Sequence, residues 1–461
     1  MYIEQLYTGC LAEAAYYIES NGEAAIIDPL RETNPYIDLA AKRNAKIKYV
    51  FETHFHADFV SGHIDLARKS GASIVYGPTA QTAYDVIVAK DEEVFSIGKI
   101  KLKVLHTPGH TMESSCFLLI DENGKDHAVF TGDTLFVGDV GRPDLAIKSD
   151  LTINDLAGMM FDSLNSKIMP LADEVIVYPA HGAGSSCGKN IGKETFSTIG
   201  TQKKMNYALQ PMSKQEFVKA VTDGLTAAPN YFTLDATLNK EGYASIDEVL
   251  QRNTKALSVE AFEAEIAKGA LILDVRSPDE FEKGFVPGAV NIGLNGQYAP
   301  WVGALLDAAV PLVLVTDESK ESEAVLRLAR VGYESVNGFL KGGIAAWTDA
   351  GKTTDTIESI SAKDFVAKLY PSDNVLDVRK PGEVESGMIE NATHICLSNL
   401  QNEISTLDKN QHYTIHCAGG YRSMMAASIM KRNGFSKVTN VLGGMGKIKE
   451  TGIKLIQPVI I

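Results

Sequence analysis

Six side chains in the first 181 residues have the chemistry to hold a metal ion. His54, His56 and Asp58 share one H-x-H-x-D stretch, and His110 (in TPGH), Asp133 (in TGD) and His181 (in YPAH) follow at long intervals. Imidazole and carboxylate are donors for zinc and iron, and the H-x-H-x-D spacing puts several of them on one short loop. Spacing alone leaves all six as candidates. A second chemistry is written in HYTIHCAGGYRS, where Cys417 ends an apolar strand, Ala418, Gly419, Gly420 and Tyr421 follow, and Arg422-Ser423 open a helix. Successive backbone N–H groups of such a loop, with a helix N-terminus behind them, cradle anionic sulfur. That setting favours the thiolate, the nucleophile of sulfur transfer.

These residues need elements to position them. Up to about Gln251 short β-rich runs alternate with helical stretches: EAAIIDP, YVFETH, SIVYG, KLKVLHTPG, SCFLLID, AVFTGD and DEVIVYPAHG. Several end directly in His or Asp, which places the chemistry at the rim of a sheet, where loops build sites on a rigid scaffold. After a polar stretch the hydrophobic rhythm restarts at Leu257. From there LILDVRSPDEFEKGFVPGAVNIGL (Leu271 to Leu294) recurs as NVLDVRKPGEVESGMIENATHICL (Asn374 to Leu397), and FLKGGIAAW recurs as VLGGMGKI. A repeat of roughly 100 residues, each copy a small α/β unit, argues for two tandem domains. The predicted division is 1–254, 255–355 and 356–461.

Composition agrees with this plan. The 461 residues allow about three domains at roughly 150 residues each, and 45% hydrophobic with 22% charged residues fits a globular chain. A net charge of −14 disfavours nucleic acid and anionic membrane as partners. The first residues have neither a basic n-region nor a continuous apolar stretch, so the expected location is the cytoplasm. Five cysteines at irregular spacing read as reduced thiols, with Cys10, Cys116 and Cys396 packing residues.

On the H-x-H-x-D loop with its downstream His and Asp residues, the first domain resembles the metallo-β-lactamase superfamily, an αββα sandwich over about residues 1–250. The superfamily motif is usually H-x-H-x-D-H. Here Phe59 stands at the last position, removing a nitrogen donor from the second metal site of binuclear members and pointing to a mononuclear centre. Two His and one carboxylate with open positions is the pattern of non-haem Fe(II) oxygenases, and the chain resembles the persulfide dioxygenase branch. That resemblance implies one Fe(II) per chain on His54, His110 and Asp133, with His56, Asp58 and His181 around them. It places Thr131 and Arg142, in TGDTLFVGDVGRPD, on the pocket for the thiol carrier. Cys187, in GSSCGK, becomes a candidate to contact or relay sulfur.

The C-terminal copy resembles rhodanese in its C-x-x-x-x-R-S loop, its DVR at Asp377 to Arg379 and its Gly443-Gly444 pair. Four residues separate Cys417 from Arg422, one fewer than in the phosphate-embracing loops of phosphatases, which favours sulfur. The resemblance makes Cys417 and Arg422 catalytic, with Ala418, Gly419, Gly420, Tyr421 and Ser423 lining the substrate. The first copy has VTDESKESEA instead, with Thr316 or Asp317 at the nucleophile position according to where one gap falls. It resembles an inactive rhodanese-like domain, a spacer or self-association surface that makes a homo-oligomer the expected state.

The whole chain therefore resembles persulfide dioxygenase–rhodanese fusions. Expected partners are a low-molecular-weight thiol persulfide, O2, and sulfite or thiosulfate. The alternative is a zinc thioesterase of the glyoxalase II kind, with rhodanese domains as sulfur-carrier or interaction modules.

Overall fold

The computed structural model describes residues 1–145, 151–225 and 227–457. The chain divides into two compact units, one of Met1–Val249 with Leu328–Gly332 and the other of the remaining chain. Among the described residues no helix is long and apolar enough to cross a membrane.

In the first unit two six-stranded sheets stack face to face. Side chains alternate across each strand, so a strand with both faces covered reads as an unbroken apolar run. Within Ser115–Ile120, Phe117 and Leu119 face the space between the sheets while Cys116 and Leu118 face the outer helices. Lys46–Glu52 does the same on the other sheet, with Phe51 inward and Ile47 and Val50 toward the helices Asn34–Lys42 and His63–Ser70. The central layer carries Tyr16, Phe51, Phe117 and Phe130, all buried. Each contributes about 1.5–3 kcal/mol by leaving water. Helices Ile153–Ser163 and Lys214–Thr222 close the outer face of the second sheet, each started by a capping box, Thr152 with Asp155 and Ser213 with Glu216. The result is the expected αββα sandwich.

Two five-stranded parallel sheets form the second unit, and they have the same order. In the first copy the order is Ala256–Leu257, Val336–Leu340, Leu312–Val315, Leu271–Asp274, Val290–Asn291. The second repeats it with Glu358–Ser361, Val438–Leu442, Tyr413–His416, Asn374–Asp377, Thr393–His394. Arg276 forks onto Asp274, its closest contact 2.6 Å, and reaches the Gly284 carbonyl at 3.0 Å. Arg379 repeats this on Asp377 at 2.6 Å and on the Gly387 carbonyl at 2.9 Å.

Candidate functional site

All six candidate donors of the first unit stand at one rim of the sandwich. His54, His56 and Asp58 follow the strand Lys46–Glu52, His110 lies between Ile100–His106 and Ser115–Ile120, and Asp133 directly follows Asp126–Gly132. His181 comes two residues after Ile176–Pro179. Gly132 makes the approach possible: its φ of +51° lies in the left-handed region, and a Cβ there would come within 2.6 Å of Thr53.

Donor atoms of His54, His110 and Asp133 lie within 4.8 Å of one another, and so do those of His56, Asp58 and His181. Asp133 Oδ2 is 3.4 Å from His110 Nε2 and 3.9 Å from His54 Nε2, while its Oδ1 is 3.4 Å from His181 Nε2. The opposite ring nitrogens are fixed. His181 Nδ1 donates to the Ala12 carbonyl at 3.2 Å, and His110 Nδ1 donates to the Arg142 carbonyl at 2.8 Å, so His110 Nε2 keeps its lone pair. Thr53 Oγ1 donates to Asp28 and accepts from His54 Nδ1 at 2.9 Å, with the same consequence. Burial and the neighbouring imidazoles hold His54 well below the usual histidine range. His181 goes the other way: burial opposes its protonation, but Asp58 and Asp133 outweigh it and raise the ring well above that range.

The donor set fits a cation. His54 Nε2 and both Asp133 oxygens are buried without a hydrogen-bond partner among the described residues, a costly state unless an ion satisfies them. His110 also lines a cavity of about 730 Å³, walled by Phe55, Met112, Glu113, Phe232 and Lys240. Phe59 is fully buried, its ring centroid 4.3 Å from that of His56. An apolar ring thus stands where the superfamily motif has an imidazole.

Other candidates are placed differently from the sequence expectation. Thr131 does not line that cavity, because its hydroxyl donates to the Leu135 carbonyl at 2.6 Å. Arg142 is buried with its fork closed on Asp144, at 2.6 Å from both Nε and Nη2. Cys187 is buried beside His181 and Asp133. Burial pushes its thiol up, and the carboxylates of Asp58 and Asp133 push it further, so the structure holds it as a neutral thiol. Cys10, expected in the core, is only half-buried, since the strand Tyr2–Thr8 ends before it.

Three residues were missed by the sequence reading. Asp28, which ends the run EAAIIDP, accepts from the Thr53 amide and hydroxyl and lies 3.1 Å from His56 Nε2. Glu52 adds a second buried carboxylate 3.5 Å from the same nitrogen. Asn239, on the helix Phe232–Glu241, donates to the carbonyls of His56 (2.7 Å) and Phe59 (2.8 Å) and accepts from the Ser61 amide (2.9 Å). The run EAAIIDP carried a signal for Asp28, a polar residue at a strand end. Nothing local to Asn239 did.

In the second unit Cys417 directly follows the strand Tyr413–His416 and is buried. The Gly420 amide donates to its sulfur at 3.1 Å, and Ser423 Oγ lies 3.6 Å away. Gly420, at φ +100°, precedes the helix Tyr421–Arg432. Arg422 closes bidentately on Glu383 at 2.6 and 2.7 Å, hydrogen bonds that hold the carboxyl below its usual range. Cys417, Gly419, Tyr421 and Arg422 line a cavity of about 370 Å³ with Lys380. Ala418 and Ser423 do not line it. The Ala418 carbonyl accepts from Gly446, and Ser423 is buried on Asn440.

Strand register removes the ambiguity in the first copy. Asp274 pairs with Val315 as Asp377 pairs with His416, so Thr316 stands where Cys417 does. The Thr316 carbonyl also lies against Gly343 as that of Cys417 lies against Gly444.

Residues 8–181 match the metallo-beta-lactamase superfamily, and residues 258–350 and 361–451 each match the rhodanese-like domain. A probable hydroxyacylglutathione hydrolase of Schizosaccharomyces pombe is 31% identical over 38% of this chain and 66% of its own length. The chain spans about two thirds of the length of the curated relatives it matches. Among solved structures, ETHE1 from Myxococcus xanthus is 27% identical with a TM-score of 0.45, covering 52% of this chain and 98% of its own. A metallo-beta-lactamase from Staphylococcus aureus is 32% identical with a TM-score of 0.65, over 74% of this chain and 98% of its own. With a relative of that identity matched over nearly its whole length, the chain belongs to the metallo-beta-lactamase superfamily and carries two rhodanese-like domains after the sandwich.

Proposed function

We propose that the chain is a bifunctional sulfur enzyme of the cytoplasm. Its first unit oxidises the terminal sulfur of a low-molecular-weight thiol persulfide: RSSH, O2 and water give RSH, sulfite and two protons. Its second unit carries a sulfane sulfur on Cys417 and passes it to sulfite, giving thiosulfate. The observation that carries this reading is the pairing of a His54–His110–Asp133 triad, with Phe59 in place of a further imidazole, and a cysteine loop sized for sulfur.

His54, His110 and Asp133 would hold one Fe(II), with Nε2 of both rings directed inward by the bonds to Thr53 and Arg142. Bound iron supplies a redox centre with open positions for O2 chemistry. The triad side chains are buried, and Asp58 lies 3.4 Å from His181 Nε2 beside Asp133. At Cys417 the Gly420 amide stabilises the thiolate that attacks a donor sulfur.

The second reading is a zinc thioesterase, favoured by the name of the hydrolase relative. Metal analysis of protein prepared without added metal, with oxygen uptake on a panel of persulfides, separates the two. One iron per chain with uptake supports the dioxygenase. Two zinc per chain, no uptake and hydrolysis of a glutathione thioester would overturn it.

A further inference from the structure

The cysteine-less copy builds part of the other copy's site. Gln297 and Trp301, both in the first rhodanese-like copy, line the cavity that holds Cys417. Trp301 lies on the helix Tyr298–Leu305 and is 9% exposed, and Gln297 precedes that helix. The neighbouring loop is shaped to the cysteine loop itself. Tyr421 donates to the Gly293 carbonyl at 2.6 Å, and a Cβ at Gly296 would meet the Tyr421 ring at 2.5 Å. Two further bonds seat the copies: the Asn291 amide donates to Ser428 Oγ at 3.0 Å, on the helix that begins at Tyr421, and Gln401 Nε2 donates to the Leu305 carbonyl at 2.6 Å.

We propose that the first rhodanese-like copy selects the sulfur acceptor of the second, with Trp301 and Gln297 as the specificity-determining wall. Lys380 brings positive charge to the cavity, and Glu383 lines it as the partner of Arg422. A compact oxyanion would meet Lys380 and the loop amides, and the Trp301 indole and Gln297 amide narrow the mouth against a bulky thiol. The step they gate is attack of the sulfite lone pair on the outer sulfur of the Cys417 persulfide anion. A new S–S bond forms, the old one breaks, thiosulfate leaves and the Cys417 thiolate returns. This rests on the sulfurtransferase reading above.

The test uses the full chain, loaded with thiosulfate and then freed of donor, with sulfite, cyanide and glutathione added singly as acceptors and loss of the Cys417 persulfide followed over a single turnover. Trp301→Ala and the solvent-facing Gln297→Ala are compared with the unmodified protein. The ratio of the second-order rate constant for glutathione to that for sulfite is expected to rise roughly tenfold in Trp301→Ala and by a smaller factor in Gln297→Ala, because deleting a wall admits the larger nucleophile. A structural defect would slow all acceptors alike. A ratio unchanged within about twofold in both variants overturns the proposal. Mass spectrometry of Cys417 after loading keeps the two readings apart: failure of the unmodified protein to gain a sulfur atom refutes the sulfurtransferase, whereas normal loading with unchanged ratios refutes only the wall.

Discussion

Asp28 Oδ1 lies 3.1 Å from His56 Nε2, while the same carboxylate accepts the Thr53 amide and hydroxyl. One buried side chain therefore lies against the ring of His56 and, through Thr53, fixes the ring of His54. Asp28→Asn keeps the volume and removes the charge. Metal affinity is expected to fall about 10–100-fold, as when such supporting groups are lost elsewhere, with chelator competition as the measurement and an unchanged far-ultraviolet spectrum as the control.

Phe59 is the departure that argues against two metals. Phe59→His restores the sixth residue of H-x-H-x-D-H beside Asp58 and His181. Metal content is expected to rise from one ion per chain toward two when zinc is supplied, and persulfide-dependent oxygen uptake is expected to fall. Elemental analysis and an oxygen electrode check both.

Asn239 makes three hydrogen bonds to the backbone of the ligand loop. Asn239→Ala leaves those groups unpaired at about 1–3 kcal/mol each. A lower Tm is expected together with faster metal loss to a chelator at a temperature where the variant is fully folded. Metal loss unchanged at that temperature would make Asn239 a packing residue only.

Thr316→Cys puts a thiol where the register places the nucleophile, followed by Asp317 and Glu318. Acidic neighbours repel an anionic sulfur donor and hold a thiol protonated. No sulfur gain is expected at residue 316 under conditions that load Cys417, as read by peptide mass spectrometry.

Much of this molecule was legible in its sequence for a definite reason. Strands covered on both faces spell continuous apolar text, so the polar residues ending them, His54, Asp133 and Cys417, stood out at the rim. The repeat was legible because each copy builds its own five-stranded sheet in the same order. What escaped depended on contacts made at a distance. Asn239 binds backbone atoms some 180 residues away, and a side-chain amide leaves no periodic mark. Arg142 was placed on the thiol-carrier pocket by resemblance, and its pairing with Asp144, only two residues on, is a side-chain contact that the sequence pattern does not carry. Choosing between Thr316 and Asp317 needed inter-strand pairing, which a gap in a repeat does not reveal.

The Asp–Arg forks of the two copies separate architecture from chemistry. Asp274–Arg276 is buried and paired beside Thr316 in the same way as Asp377–Arg379 beside Cys417. Breaking such a buried pair from one side costs about 3–5 kcal/mol, which is reason enough for a copy with Thr316 after its central strand to keep it. The Asp–Arg pair therefore belongs to the fold of each copy and does not depend on a cysteine beside it. In this chain the pair marks each folded copy, and the residue after the central strand, Thr316 or Cys417, is what sets the two copies apart chemically.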